Sequence, residues 1–186
     1  MSLELITPPA EEPLSLADLK AHLRVAHSEE DALILSFARA ARHAIEARYG
    51  LAVILQEWRW RLDRAPLGAI VLPRSPLVAV NSVSLVARDG SAEPVDPALY
   101  EVETGRRGRL FLHGAVPWAG RALGALQIDF SAGAPDAAAA PPEIKTAIAL
   151  IVAHFFENRE AGAVERIFST TRHLESLLGA YREPRL

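Results

Sequence analysis

The chain of 186 residues contains no cysteine. That excludes disulfides, thiolate zinc sites and cysteine nucleophiles, and it fits maturation in a reducing compartment. Lysine is nearly absent: Lys20 and Lys145 are the only two, and arginine supplies the remaining positive charge. Long apolar runs are missing as well. The longest apolar helix candidate, Ile144 to Phe156, is about 13 residues, whereas a membrane span needs roughly 20. A soluble chain with no membrane association is expected. Met1 to Glu12 carries no basic stretch followed by an apolar run, so no secretion signal is expected either. The net charge of −3 implies no global attraction to nucleic acid or anionic lipid.

Half of the residues are apolar, enough to build a core in one domain with a modest insert or in two small domains. Pro8, Pro9 and Pro13 keep the first 14 residues extended. Ser15 with Asp18 reads as a capping box opening a short helix, with Leu16, Leu19 and Leu23 on one face, ending near Val25. Ser28 with Asp31 reads as a second box. The helix after it carries the stripe Leu33, Phe37, Ala41, Ala44 and Ile45, with Arg39, Arg42, Glu46 and Arg48 off the stripe. Gly50 follows where a left-handed C-cap is favoured.

The hydrophobic period then changes from that of a helix to two. Trp58, Trp60 and Leu62 alternate with charged residues, which marks a half-buried strand. Val78 to Val86, Tyr100 to Val102, Leu110 to Leu112 and Ala125 to Phe130 supply further strands, with Asp89-Gly90 as a hairpin-type turn. Residues 132–142 (AGAPDAAAAPP) read as a linker. Pro141 or Pro142 opens the next helix, with Glu143 at its positive end and a broad apolar face from Ile144 to Phe156. A last helix is expected over Ser169 to Tyr181.

The fold class is therefore α+β: a helical bundle of N- and C-terminal helices, an inserted small β-sheet subdomain, and an extended C-terminal helical arm. The expected divisions are residues 1–50 (arm and bundle helices), 51–134 (β-rich insert), 135–166 (linker and long bundle helix) and 167–186 (arm).

No catalytic constellation emerges. HExxH, GxSxG and P-loop patterns are absent. His43/Glu46 and His154/Glu157 place His before Glu at helical spacing, the reverse of the di-iron bundle motif, and the additional glutamates are missing. No catalytic residue, cofactor or metal is expected. Ser15, Ser28 and Ser169 read as helix caps. Arg106, Arg107 and Arg109 form a basic knot beside Gly105 and Gly108, read either as a solvated hairpin or as a contact with DNA backbone or an acidic neighbour. Trp58 and Trp60 read as core, with an interface anchor as the alternative.

Seven stretches together resemble one family. They are Leu5–Val25 (LITPPAEEPLSLADLKAHLRV), Ile45–Gly50 (IEARYG), Gln56–Asp63 (QEWRWRLD), Leu72–Gly90 (LPRSPLVAVNSVSLVARDG), Ile128–Gly133 (IDFSAG), Pro142–Glu160 (PEIKTAIALIVAHFFENRE) and Leu177–Arg182 (LLGAYR). In this order they resemble the head–tail connector, or adaptor, proteins of long-tailed bacteriophages and gene transfer agents. The resemblance covers nearly the whole chain and rests on order and spacing, not on one motif.

It implies a structural protein that forms a ring, usually of twelve copies, beneath the portal in the neck of the particle, after assembly in the bacterial cytoplasm. The ring would extend the DNA channel without sequence-specific binding and carry the stopper or tail-completion protein. Ser169 to Leu186 becomes the candidate portal-binding arm, with Leu174, Leu177, Leu178, Tyr181 and Arg182 as contacts. Arg106, Arg107 and Arg109 become candidates for a subunit interface or the DNA channel. Gly179-Ala180 stands where the family more often has proline before the Tyr-Arg pair, which puts the geometry of the arm in question. Closed rings need two different sticky surfaces per subunit, and the apolar faces of the two long helices are the expected source. The alternative is a DNA-binding regulator that uses the first two helices as a helix-turn-helix.

Overall fold

The computed structural model describes residues 1–64, 66, 68–113, 121–158 and 172–181, with the side chains of Arg172 and His173 excepted. The chain folds as two compact units. One is built from Met1–Ala10 and Leu55–Ala134, the other from Glu11–Ile54 and Pro135–Leu186. The class is α+β, as expected.

The first unit holds the strands. A five-stranded antiparallel sheet has the order β1-β2-β8-β4-β5, from β1 (Ser2–Thr7), β2 (Gln56–Leu62), β4 (Leu77–Val86), β5 (Ala92–Pro94) and β8 (Leu126–Ala132). A three-stranded antiparallel sheet, β3-β7-β6, is built from β3 (Ile70–Val71), β6 (Tyr100–Glu103) and β7 (Arg109–Leu112). The period-two reading of β2 and β8 holds. Leu126, Ile128, Phe130 and Ala132 are buried, while Gln127, Asp129 and Ser131 between them are half-exposed. Trp58 and Trp60 of β2 sit opposite Phe130 and Ile128. Trp58 is buried beneath the Arg74 guanidinium, which lies 4.6 Å from its ring centroid. Trp60 is half-buried.

The second unit holds the helices: α1 (Leu16–Leu23), α2 (Asp31–Tyr49), α3 (Pro142–Glu157) and α4 (Arg172–Leu178), which runs into a 3-10 turn at Gly179–Tyr181. α1 packs on α2 and α3, α2 on α3, and α4 on α3. Leu19, Ile34, Ala41, Ile45, Ile144, Ala147, Ile148, Ile151 and Val152 form the core. The capping box at Ser15 is complete: Ser15 Oγ accepts from the Asp18 amide and the Asp18 carboxylate accepts from the Ser15 amide. Gly50 takes the left-handed C-cap, and Pro142 with Glu143 opens α3.

Within these elements the fold departs from the sequence reading at the N-terminal strand, at Ser28 and at Arg42 with Glu46. Residues 1–10 are not an arm on the bundle, because β1 pairs along β2 and joins the sheet unit. Ser28 caps nothing with its side chain. Residues 24–30 separate α1 from α2, Glu30 is the N-cap without a side-chain bond, and Asp31 instead takes the Lys20 ammonium at 2.7 Å. Thirdly, Arg42 and Glu46, expected on the solvent side of α2, are both buried. Arg42 donates to Glu46 at 2.8 Å and also to Glu12, 30 positions upstream, a partner that helical periodicity on α2 alone cannot register.

Candidate assembly surfaces

The basic knot lies where β6 turns into β7. Gly105 has φ +104°, a left-handed conformation that glycine adopts without strain. At Gly108 the constraint is space, since a Cβ would fall 2.2 Å from Leu77 Cβ. The turn is braced by four hydrogen bonds to three residues. Leu77 and Gly105 exchange two backbone hydrogen bonds of 2.8 Å, the Leu72 amide donates to Gly108 at 3.0 Å, and Ser75 Oγ donates to the Arg106 carbonyl at 2.7 Å. Arg106 and Arg107 are thus held out on a fixed knuckle, both exposed. The third arginine is not equivalent. Arg109, on β7, forms an ion pair with Glu103 across the hairpin.

The exposed side of the same sheet is mixed in character. Register places Val71, Arg109 and Glu103 abreast, with Phe111 opposite Glu101. Val71 is 52% exposed and Phe111 42%. His113 reaches Glu101 at 3.2 Å and lies edge-on to Phe111. The polar face of the larger sheet is a ladder of paired groups instead. Arg59 donates to both oxygens of Asp129 at 2.8 and 2.9 Å, and Ser82 donates to the same carboxylate at 3.3 Å. The Arg59 hydrogen bond holds the Asp129 carboxyl below its ordinary range, against the opposing effect of burial. A depressed carboxyl contributes stability above its unfolded value, about 3.9, and loses it as pH falls through the folded value. Replacing Asp129 with Asn will therefore flatten the acid limb of the stability curve below about pH 4, as read by thermal melts across pH.

The C-terminal candidates divide. Leu174 and Leu178 are 1% and 0% exposed, in a helix seated on α3 and flanked by an Arg48–Glu175 contact at 3.9 Å. Leu177 and Tyr181 are half-buried. Arg182 lies outside the described residues, as does the start of the expected helix at Ser169.

Exposed apolar groups are also placed differently from expectation. The large apolar side chains that stand well exposed among the described residues are Met1, Ile6, Leu55, Val71, Val78, Leu99, Val102, Phe111 and Leu123, and all belong to the sheet unit. The apolar stripes of α2 and α3 close on each other instead, leaving Phe37 and Phe155 half-buried with ring centroids 5.5 Å apart.

Three His, Asp or Glu side chains nowhere gather into a metal-binding group among the described residues, and no described helix is long and apolar enough to cross a membrane. His43 is exposed on α2, and His154 sits beside Asn158 at the end of α3. An open cleft of about 570 Å³ runs past Glu12, Leu14, Leu16, Leu35 and Lys145. Its acidic groups are already engaged, Glu12 by Arg42 and Asp18 by Ser15. Sequence reasoning singled out neither this cleft nor the exposed face of the small sheet.

A two-unit α+β chain with a braced basic turn, exposed apolar groups on its sheets and no reactive cluster in the described residues has the features of an assembly component. Residues 13–92 match the family of phage gp6-like head-tail connector proteins. The neck of an empty gene transfer agent particle, computed with sixfold symmetry, contains a chain 29% identical, with a TM-score of 0.84 over 100% of this chain and 97% of that one. A chain of the native gene transfer agent virion matches at 28% identity and TM-score 0.83, and one from the native neck computed with twelvefold symmetry at 28% and 0.81, with the same coverage. No curated protein matches in sequence. Head–tail connectors of that family are structural parts of a particle and not enzymes.

Proposed function

We propose that this chain is the adaptor ring of a phage-like or gene-transfer-agent particle neck: many copies, twelve by analogy, close beneath the portal, continue the DNA channel and carry the stopper. The observation that supports it most is the end-to-end match to neck chains from particles of sixfold and twelvefold symmetry. The surfaces described above supply the parts. A closed ring joins unlike surfaces of adjacent copies, and the exposed Val71–Phe111 face provides apolar area on a rigid sheet. Arg106 and Arg107, both exposed on the braced turn, form a fixed cationic point for a neighbouring copy or for passing DNA, and Arg109 beside them pairs with Glu103. The C-terminal segment is the portal arm, and its contacts shift to Leu177, Tyr181 and Arg182, because Leu174 and Leu178 are committed to α3.

Native mass spectrometry of the purified chain with portal protein tests the reading. Discrete rings or a stable portal complex are expected. A chain that stays monomeric and never associates with portal would overturn it. The helix-turn-helix alternative loses support, because residues 24–30 form a longer break than that motif's three- or four-residue turn.

A further inference from the structure

The chain passes between its two units three times, at Ala10/Glu11, Ile54/Leu55 and Ala134/Pro135. On the helical side, all three passages are tied down by one set of charged groups. Arg42 donates to both oxygens of Glu12, at 2.9 and 3.1 Å, which holds the first passage. Its remaining arm donates to Glu46 at 2.8 Å. The other oxygen of Glu46 accepts from the Val53 amide at 2.9 Å, which holds the second. Glu11, covalently next to Glu12, accepts from the Ala137 amide at 2.7 Å and holds the third.

We propose that Arg42 is a joint that sets, through Glu12 and Glu46, the course of all three chain segments where they leave the helical unit. Arg42 and Glu46 are 3% and 5% exposed. Burial opposes the charge of Arg42, yet the hydrogen bond it donates to Glu12 and the field of Glu46 outweigh it, and the guanidinium is held more firmly protonated than usual. Apolar residues of equal volume generally hold a bundle together at least as well as a buried ion pair. They cannot supply direction. A planar guanidinium with five donors fixes two carboxylates at set angles, and each carboxylate then selects a particular stretch of backbone. In the stretch 135–140 Ala140 is buried and Asp136 accepts from the Ala139 amide at 2.8 Å, whereas the Ala137 amide is held from outside the loop by Glu11.

Amide hydrogen exchange of the full chain, followed residue by residue by NMR, tests the joint in Arg42→Met and in the milder Glu12→Gln, whose position is partly exposed. In Arg42→Met the Val53 and Ala137 amides will exchange faster together, by about tenfold or more, while Ile45 and Ile148 within α2 and α3 keep their protection. Glu12→Gln will loosen the same two amides to a smaller extent, and it carries the test if Arg42→Met does not fold. Two results would overturn the proposal. Val53 loosening while Ala137 stays protected would make Glu46 a local cap only. An even rise across α2 and α3 would make the network a general stabiliser of the bundle.

Discussion

Replacing Leu174 or Leu178 with alanine will destabilise the helical unit by about 2–5 kcal/mol for each residue. Both side chains are fully enclosed, so each truncation loses transfer free energy and leaves a cavity that the flanking α3 side chains fill only in part. Removing the last 15 residues will do at least as much, because it uncovers the α3 surface on which α4 sits. From sequence alone the opposite is expected, namely a detachable arm whose loss spares the body. Urea denaturation followed by circular dichroism decides between them. A shift near zero would mean that α4 is not seated on α3 in the free chain. Leu177, which is half-buried, provides the contrast: its alanine variant will keep most of the stability, so loss of portal binding in that variant reports on docking and not on folding.

Truncating Phe130 to alanine will cost the sheet unit about 3–5 kcal/mol. Phe130 is 0% exposed and lies on β8, the central strand, between Trp58 of β2 and Val80 of β4. Strands on both sides hold the backbone in register, so the vacated volume cannot be closed by a small shift. The two truncations also test the division into units. If the units unfold as separate cooperative blocks, Phe130→Ala moves the melting of the strands alone and Leu178→Ala that of the helices alone. A single transition displaced equally by both variants would show one cooperative block instead.

Much of the local structure was readable residue by residue. Ser15 and Asp18 announced the start of α1 because a capping box is satisfied within four residues. Gly50 marked the end of α2 for a similarly local reason, and Pro142 with Glu143 the start of α3. The alternation of Trp58, Trp60 and Leu62 with charged residues showed both that β2 is a strand and which of its faces is buried. Ser28 and Asp31 misled, because the same residue types have a competing use: Asp31 is taken up by Lys20 from another helix.

The candidate surfaces were less legible. Arg106 and Arg107 were identified from their turn glycines, but nothing in the order of residues showed that Leu72, Ser75 and Leu77 brace that turn, or that Glu103 occupies Arg109. The resemblance implied that the C-terminal leucines are portal contacts. It could not divide them, since which leucine faces α3 depends on where α4 is seated.

What the amino-acid order determined by itself was therefore whatever is settled within about one helical turn or one strand: caps, turns, periodicity, and the absence of any thiol or motif for catalysis. Tertiary structure alone decided that Ser2–Thr7 becomes an edge strand, that Arg42 and Glu46 go inside, and that well-exposed apolar side chains collect on the sheets while the helical stripes close on one another. Each of those outcomes depends on a partner tens of residues away. Periodicity measures how polar a face is, whereas burial depends on whether some distant group arrives to satisfy it.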